Sequence, residues 1–309
     1  MTAWNFADVW ETIAEVQPDA PALIRGASVR SWSEFDRRAS ALGARLVGAG
    51  LSRQSRVAQY LMNSMEYLES LFGTYKAAMV PVNTNYRYVA DELAYLWLDA
   101  DVEAVMFHGS FTESTNEVRA RVPNVKLWLW VDDGFGECPD WAVSYEHVAV
   151  SGAILSAESP QRSGDDLFLL YTGGTTGQPK GVMWRQDDLF CVLNRSATIK
   201  YPEEGGLESV AEGLAAAGST RARVIPAAPL MHGTAAFSAF AVLDSGGAVV
   251  LCEHTKFDPK ELLDTVEAHN VTDLSIVGDA FAKPLLDALD EQPQRWDISS
   301  LKVILSSGV

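Results

Sequence analysis

The chain has 309 residues, 48% of them hydrophobic, which is enough for a substantial buried core and about the length of two ordinary domains. Its 24 basic and 41 acidic side chains give a formal charge of −17, which repels phosphate backbones and anionic lipid heads and sets nucleic acid aside as a partner. Cys138, Cys191 and Cys252 lie far apart without CxxC spacing, so no disulfide framework or zinc site is indicated and a reducing cytoplasm fits best. Residues 1–10 lack a basic n-region and an apolar h-region, and no run of about 18 apolar residues occurs, so the expectation is a soluble, untargeted protein without a transmembrane segment.

In chain order, Ser33 reads as a helix cap with Asp36 at N3. Phe35, Ala39, Leu42 and Leu46 fall on one face behind it, and Gly48 and Gly50 close the helix. Residues 57–62 predict a strand, 67–78 a helix and 79–82 a second strand, which is βαβ grammar. Residues 91–98 predict another helix, and 102–107 and 125–131 predict buried strands rich in Val, Leu, Phe and Trp. The turn-rich stretch 132–164 reads as a crossing between two α/β subdomains, approximately 1–164 and 165–309. Strands follow at 167–171, 249–251, 274–277 and 303–305, with a helix capped by Asp258 that carries Pro259 at N1, Glu261 at N3 and Leu262 and Val266 inward. Residues 201–219, with Pro202, Gly205, Gly206 and an Ala-rich run, show no periodicity and read as a mobile surface excursion. The fold class is therefore α/β, with mostly parallel sheets flanked by helices.

Chemistry concentrates in Leu169-Leu-Tyr-Thr-Gly-Gly-Thr-Thr-Gly-Gln-Pro-Lys-Gly-Val182, a strand running into a loop. Gly173, Gly174 and Gly177 let successive backbone N–H groups aim at one anion, while Thr172, Thr175 and Thr176 add hydroxyl donors and Lys180 adds charge. A triphosphate suits such a loop. Pro179 stands where a Walker A loop needs Gly, and no GxGxxG register passes through these glycines, so ordinary P-loop and dinucleotide readings fail. A glycine-rich surface turn with a solvated lysine is the bland alternative. The pairs Asp165-Asp166 and Asp187-Asp188 read as solvated caps flanking the loop's strand and helix, not as a metal site. His108, His147, His254 and His269 lack any chemical context and are assigned to structure.

The run 171–181 resembles the phosphate-binding signature of the adenylate-forming superfamily, which includes acyl-CoA synthetases, luciferases and the adenylation domains of peptide synthetases. Further resemblances run through 32–46, Met79-Val-Pro-Val-Asn-Thr-Asn to Glu92-Leu, Pro229-Leu-Met-His-Gly and 301–308. The resemblance implies the stacked sheets of the family's large N-terminal domain and a two-step reaction. A carboxylate attacks the α-phosphate of ATP and pyrophosphate leaves, then a thiol displaces AMP. It implies ATP, Mg2+ and coenzyme A as cofactor and co-substrates, a small-molecule carboxylic acid as partner, and phosphate contacts from Thr172, Gly173, Gly174, Thr175, Thr176, Gly177 and Lys180. His232 would orient the reacting carboxylate, or else is satisfied by backbone at a helix start. Ser307 and Gly308 match the adenine-binding Gly-Gly turn, with Ser307 in place of the first glycine and its Cβ restricting the backbone. Val277-Gly-Asp-Ala-Phe281 stands where relatives carry Val-Pro-Pro, so Gly278, Asp279 and Phe281 either border the acyl channel or form a strand-to-helix turn capped by Asp279. Phe237, with Phe240 and Val242, is either pocket lining or plain core.

The resemblance also places the magnesium-binding glutamate, the ribose-binding aspartate and the lid domain with its adenylation lysine beyond Val309. The expectation is thus a partial N-terminal domain, incomplete at the C-terminus and without activity by itself. The complete protein would be an acid–thiol ligase, more readily for a long-chain fatty acid or steroid side-chain acid than for an amino or aryl acid. A non-catalytic nucleotide- or acyl-binding module is the reading from another class. A homodimer is compatible with the sequence.

Overall fold

The computed structural model describes residues 4–155, 160–173 and 178–307, and within these the chain forms mostly parallel sheets flanked by helices. In chain order the strands are β1 (Pro21–Arg25), β2 (Ser28–Ser31), β3 (Arg56–Tyr60), β4 (Val80–Asn83), β5 (Val102–His108), β6 (Leu127–Val131), β7 (Val143–Ser144), β8 (Leu167–Thr172), β9 (Lys180–Arg185), β10 (Arg223–Pro226), β11 (Ala248–Leu251), β12 (Asp273–Ile276) and β13 (Val303–Ser306). Contacts group them into two units. One comprises the described residues of Met1–Asp8 and Asp36–Phe190, the other those of Val9–Phe35 and Cys191–Val309. The helices Phe6–Val16, Trp32–Gly48 and Gln186–Asn194 run from one unit's residues into the other's. The approximate sequence division at 164/165 lies within the first of these units.

The first unit holds the sheet β7-β6-β5-β3-β4-β8-β9, parallel except for the hairpin β8–β9. Its strands β3 to β6 are buried along nearly their whole length because helices cover them, as parallel strands require. Leu93, Leu96 and Trp97 of helix Ala90–Asp99 and Val118 of helix Thr112–Arg119 bury against Tyr60, Val80, Val82, Val105, Phe107 and Trp128. In the same unit Arg38 and Glu69 form an ion pair with both side chains buried, and exposed Glu146 adds to it. Arg38 donates to Glu69 at 2.7 Å and to both carboxylate oxygens of Glu146 at 3.1 and 2.7 Å, and the Tyr145 hydroxyl donates to Glu69 at 2.9 Å. The stretch expected only to cross between subdomains contains β7 and the helix Tyr145–Ser151, capped by Ser144.

The second unit holds β13-β12-β10-β11-β1-β2, parallel apart from the β1–β2 hairpin. Leu262, Leu263 and Val266 of helix Pro259–His269 and Leu285 and Ala288 of helix Asp279–Glu291 pack with Ile225, Val250, Leu274 and Ile276. Helix Gly233–Asp244 is set by Trp10, whose ring meets Phe240 edge-on at 5.7 Å and whose indole donates to Asp244 Oδ1 at 2.7 Å.

Several local expectations are corrected. The cap of helix Trp32–Gly48 is Ser31, whose hydroxyl accepts from Glu34 N at 3.2 Å, two residues earlier than Ser33. Residues 201–219 are not an unstructured excursion, since Leu207–Ala216 is a helix that buries Val210 and Leu214, and Tyr201 is buried with its hydroxyl on Asp244 O at 2.9 Å. Asp166 is no solvated cap either. It is fully buried, ion-paired to Arg53, and accepts from Ser163 N at 2.9 Å and Gln54 at 3.1 Å; burial raises its pKa against these partners. The Asp258 cap stands as expected, accepting from Lys260 N at 2.8 Å ahead of Pro259.

Candidate functional site

In the first unit the described residues of the expected phosphate loop flank the turn end of the hairpin β8–β9. Thr172 and Lys180 are Cα partners across it, both exposed, so the two ends of the loop hold a hydroxyl and an ammonium opposite each other. Gly173 follows in open surroundings, where a side chain would meet nothing within 4 Å. Gly174, Thr175, Thr176 and Gly177 lie outside the described residues. Gly181 has a packing reason to lack a side chain, since a Cβ there would stand 2.9 Å from Cε2 of Tyr171, its partner across the hairpin. The second strand of this hairpin was not read from sequence, because Lys180 to Arg185 carries no alternation of buried and exposed residues.

Two residues outside the motif hold Tyr171. Asn83, at the end of β4, pairs its amide with the Tyr171 main chain, and Asp99 accepts from the Tyr171 hydroxyl at 2.7 Å. Burial first, and then the neighbouring Asp99, push the Tyr171 hydroxyl pKa up, so it remains a donor at neutral pH.

In the second unit β10, β12 and β13 end side by side, and the segments leaving them form the second cluster. Carboxyl ends of parallel strands are where open α/β sheets bind ligands, because helix N-termini and free loops gather there. His232 is exposed as the N-cap residue of helix Gly233–Asp244; its N–H donates to Pro229 O at 2.9 Å and its carbonyl accepts from Ala236 N at 3.0 Å. Thr234, in the first turn, meets the Ser307 hydroxyl, and Ser307 N donates to Ile276 O at 3.3 Å. Gly278 N donates to Ser306 Oγ at 3.2 Å. The hydroxyls of 306 and 307 therefore tie β13 to both neighbouring helix starts. Ser307 has no positive φ, so its Cβ imposes no left-handed strain and its side chain is turned to Thr234. Gly308 lies outside the described residues.

The turn at Gly278 is capped differently from the expected arrangement. Gly278 itself is the N-cap, at φ 54° and ψ −156°, a conformation that side-chained residues rarely adopt, and exposed Asp279 is the first helical residue. Phe281 is half-buried against the core, with its ring 4.6 Å from that of Phe257. Phe237 is half-buried on helix Gly233–Asp244, whereas Phe240 and Val242 are core. Among the histidines assigned to structure, His108 is buried and its Nδ1 accepts from Met62 N at 3.0 Å. Among the described residues no group of three or more His, Cys, Asp or Glu could hold a metal ion, and no helix is long and apolar enough to cross a membrane.

Residues 10–309 match the family AMP-binding enzyme. The chain is 33% identical to the medium/long-chain-fatty-acid–CoA/3-oxocholest-4-en-26-oate–CoA ligase of Mycolicibacterium smegmatis, over 99% of this chain and 56% of that protein. It is 32% identical to the 3-oxocholest-4-en-26-oate–CoA ligase of Rhodococcus rhodochrous and 31% identical to the medium-chain acyl-CoA ligase Mig of Mycobacterium avium, over 99% of this chain and 55% and 58% of those proteins. The chain thus spans a little over half the length of these relatives. In fold it superposes on the anthranilate CoA ligase AuaEII, solved with anthranoyl-AMP, at a TM-score of 0.82 and 19% identity, over 99% of this chain and 55% of that one. A fatty acyl CoA synthetase of Mycobacterium tuberculosis superposes at 0.77 and 19% identity, over 98% and 54%.

Proposed function

Because this chain belongs to the AMP-binding enzyme family, we propose that the whole protein activates a carboxylic acid with ATP and passes the acyl group to coenzyme A. A carboxylate oxygen bonds to the α-phosphorus as the bond to pyrophosphate breaks. The CoA sulfur then attacks the acyl carbon, AMP leaves, and the thiol proton goes to solvent. The observation that carries this reading is the turn end of the hairpin β8–β9, where exposed Thr172 and Lys180 are paired at the two ends of a glycine-rich loop.

The physical difficulty of the first step is like charge, an anion approaching a polyanion, and fixed positive groups relieve it most where water is thin. Lys180 supplies an ammonium for the outer phosphates, and Thr172 with the Gly173 N–H supplies neutral donors that need no reorganisation. His232 orients the reacting carboxylate, with Phe237, Gly278, Asp279 and Phe281 bordering the acyl group. Ser307, its hydroxyl engaged by Thr234, offers backbone to adenine. Magnesium would neutralise charge on ATP in such a reaction, and among the described residues no group of three or more His, Cys, Asp or Glu could hold a metal ion.

The acid we propose is a medium- to long-chain fatty acid or a steroid side-chain acid, the classes named for the relatives above. The test is ATP–pyrophosphate exchange by the whole gene product with fatty acids, steroid carboxylates, aryl acids and amino acids. Exchange that depends on a fatty or steroid acid is expected, with the isolated 309-residue chain slower by several powers of ten, because groups acting together are strongly non-additive. Exchange with amino acids alone, or with no carboxylate, would overturn the proposal.

A further inference from the structure

We propose that Asn83 is a positioning residue for the phosphate loop, acting through Tyr171, an inference that rests on the reading of that loop as the ATP site. The hairpin β8–β9 joins the parallel sheet only along β4, and its backbone register with β4 is a single Cα pair, Val82 with Leu169. Two residues further along β8, the Asn83 side chain bonds both main-chain groups of Tyr171: Oδ1 accepts from Tyr171 N at 2.5 Å and Nδ2 donates to Tyr171 O at 3.0 Å.

A primary amide is suited to this task, since it presents one acceptor and one donor side by side, the same pattern as a peptide group on a neighbouring strand. Asn83 is 3% exposed, so the pair is shielded from competing water. The Tyr171 hydroxyl is fixed to Asp99 Oδ2 at 2.7 Å and its ring lies against Gly181, so the residue is held at main chain, ring and hydroxyl together. Thr172 and Gly173 follow directly, and Lys180 faces Thr172 across the hairpin. Fixing Tyr171 therefore fixes the direction in which Thr172, Gly173 and Lys180 leave the sheet, without Asn83 touching nucleotide. The side chain must have this length and both functions: Ala removes both bonds, and an ionised Asp keeps an acceptor for Tyr171 N but turns a second oxygen on the Tyr171 carbonyl.

The experiment compares wild type, Asn83→Ala, Asn83→Asp and Tyr171→Phe in the 309-residue chain by amide hydrogen exchange of peptides covering 169–173 and 180–183, with MgATP affinity measured in parallel. Asn83→Ala is expected to speed exchange in these peptides about tenfold, to leave peptides of β10–β12 unchanged, and to weaken MgATP roughly tenfold. Asn83→Asp at neutral pH should behave likewise. Below the carboxyl's pKa, where it carries a proton to donate to Tyr171 O, its exchange should return to the wild-type rate measured at the same pH, which a merely space-filling role would not produce. If Asn83→Ala does not fold, Asn83→Asp across pH decides the matter. Unchanged exchange at 169–173 in both Asn83 variants would overturn the proposal. A wild-type chain that binds no MgATP, yet loosens as described on substitution, would instead overturn the ATP reading and leave the clamp standing.

Discussion

Single residues in this chain have roles that depend on what they are packed against. Asp244 is fully buried at the negative end of its helix, with Oδ1 bonded to the Trp10 indole and Oδ2 without a hydrogen-bond partner. Burial, partly offset by the Trp10 bond, raises its pKa well above the usual carboxylate range. The folded chain then keeps a proton that the unfolded chain releases, so stability is full below the unfolded pKa of about 4 and falls as pH rises toward the folded value. Asp244→Asn should therefore match wild type in urea melts at low pH and exceed it at neutral pH. At Gly181, an alanine would push Tyr171 away and should cost about 1–3 kcal/mol in the same melts, as overpacking does. Lys180→Met leaves the fold alone, since the side chain is exposed. It should weaken MgATP binding about tenfold in a titration, the size of one lost charge-assisted contact.

Among elements, the helix Leu207–Ala216 shows where periodicity fails as a signal. Its buried face is only Val210 and Leu214, one turn apart, and alanines around them dilute the pattern. Leu214→Ala should still cost about 2–3 kcal/mol in urea denaturation, because the side chain is 1% exposed and its site cannot fully collapse. The strands β1, β2 and β10 were likewise unread, being only four or five residues long. The shift of the helix cap from Ser33 to Ser31 has a simple origin. Both serines precede the apolar face and both have an acid three residues on, Glu34 or Asp36, so local chemistry permits either and the pairing of β2 with β1 selects the first.

For the chain as a whole, β13 is an edge of its sheet with Val303 50%, Ile304 60% and Leu305 47% exposed, the kind of strand that pairs with other chains. Ile304→Lys should lower self-association of the 309-residue chain in light scattering while leaving the melting temperature within a degree or two, as an exposed substitution does. The amino-acid sequence by itself determined the α/β class, the strands β3 to β6, β8 and β11 to β13 to within a few residues, and the Asp258 cap. Each of these is written in local signals, apolar runs and a capping residue followed by proline. Tertiary structure alone decided that β1 and β2 join β11 in the second sheet, that Asp166 is buried with Arg53, that Gly278 rather than Asp279 caps its helix, and that Asn83 and Asp99 hold Tyr171. Those pairings join residues from 72 to more than 200 positions apart, or depend on a backbone conformation set by neighbouring strands. No window of local sequence contains both partners, and only the closing of the sheets brings them within hydrogen-bonding range.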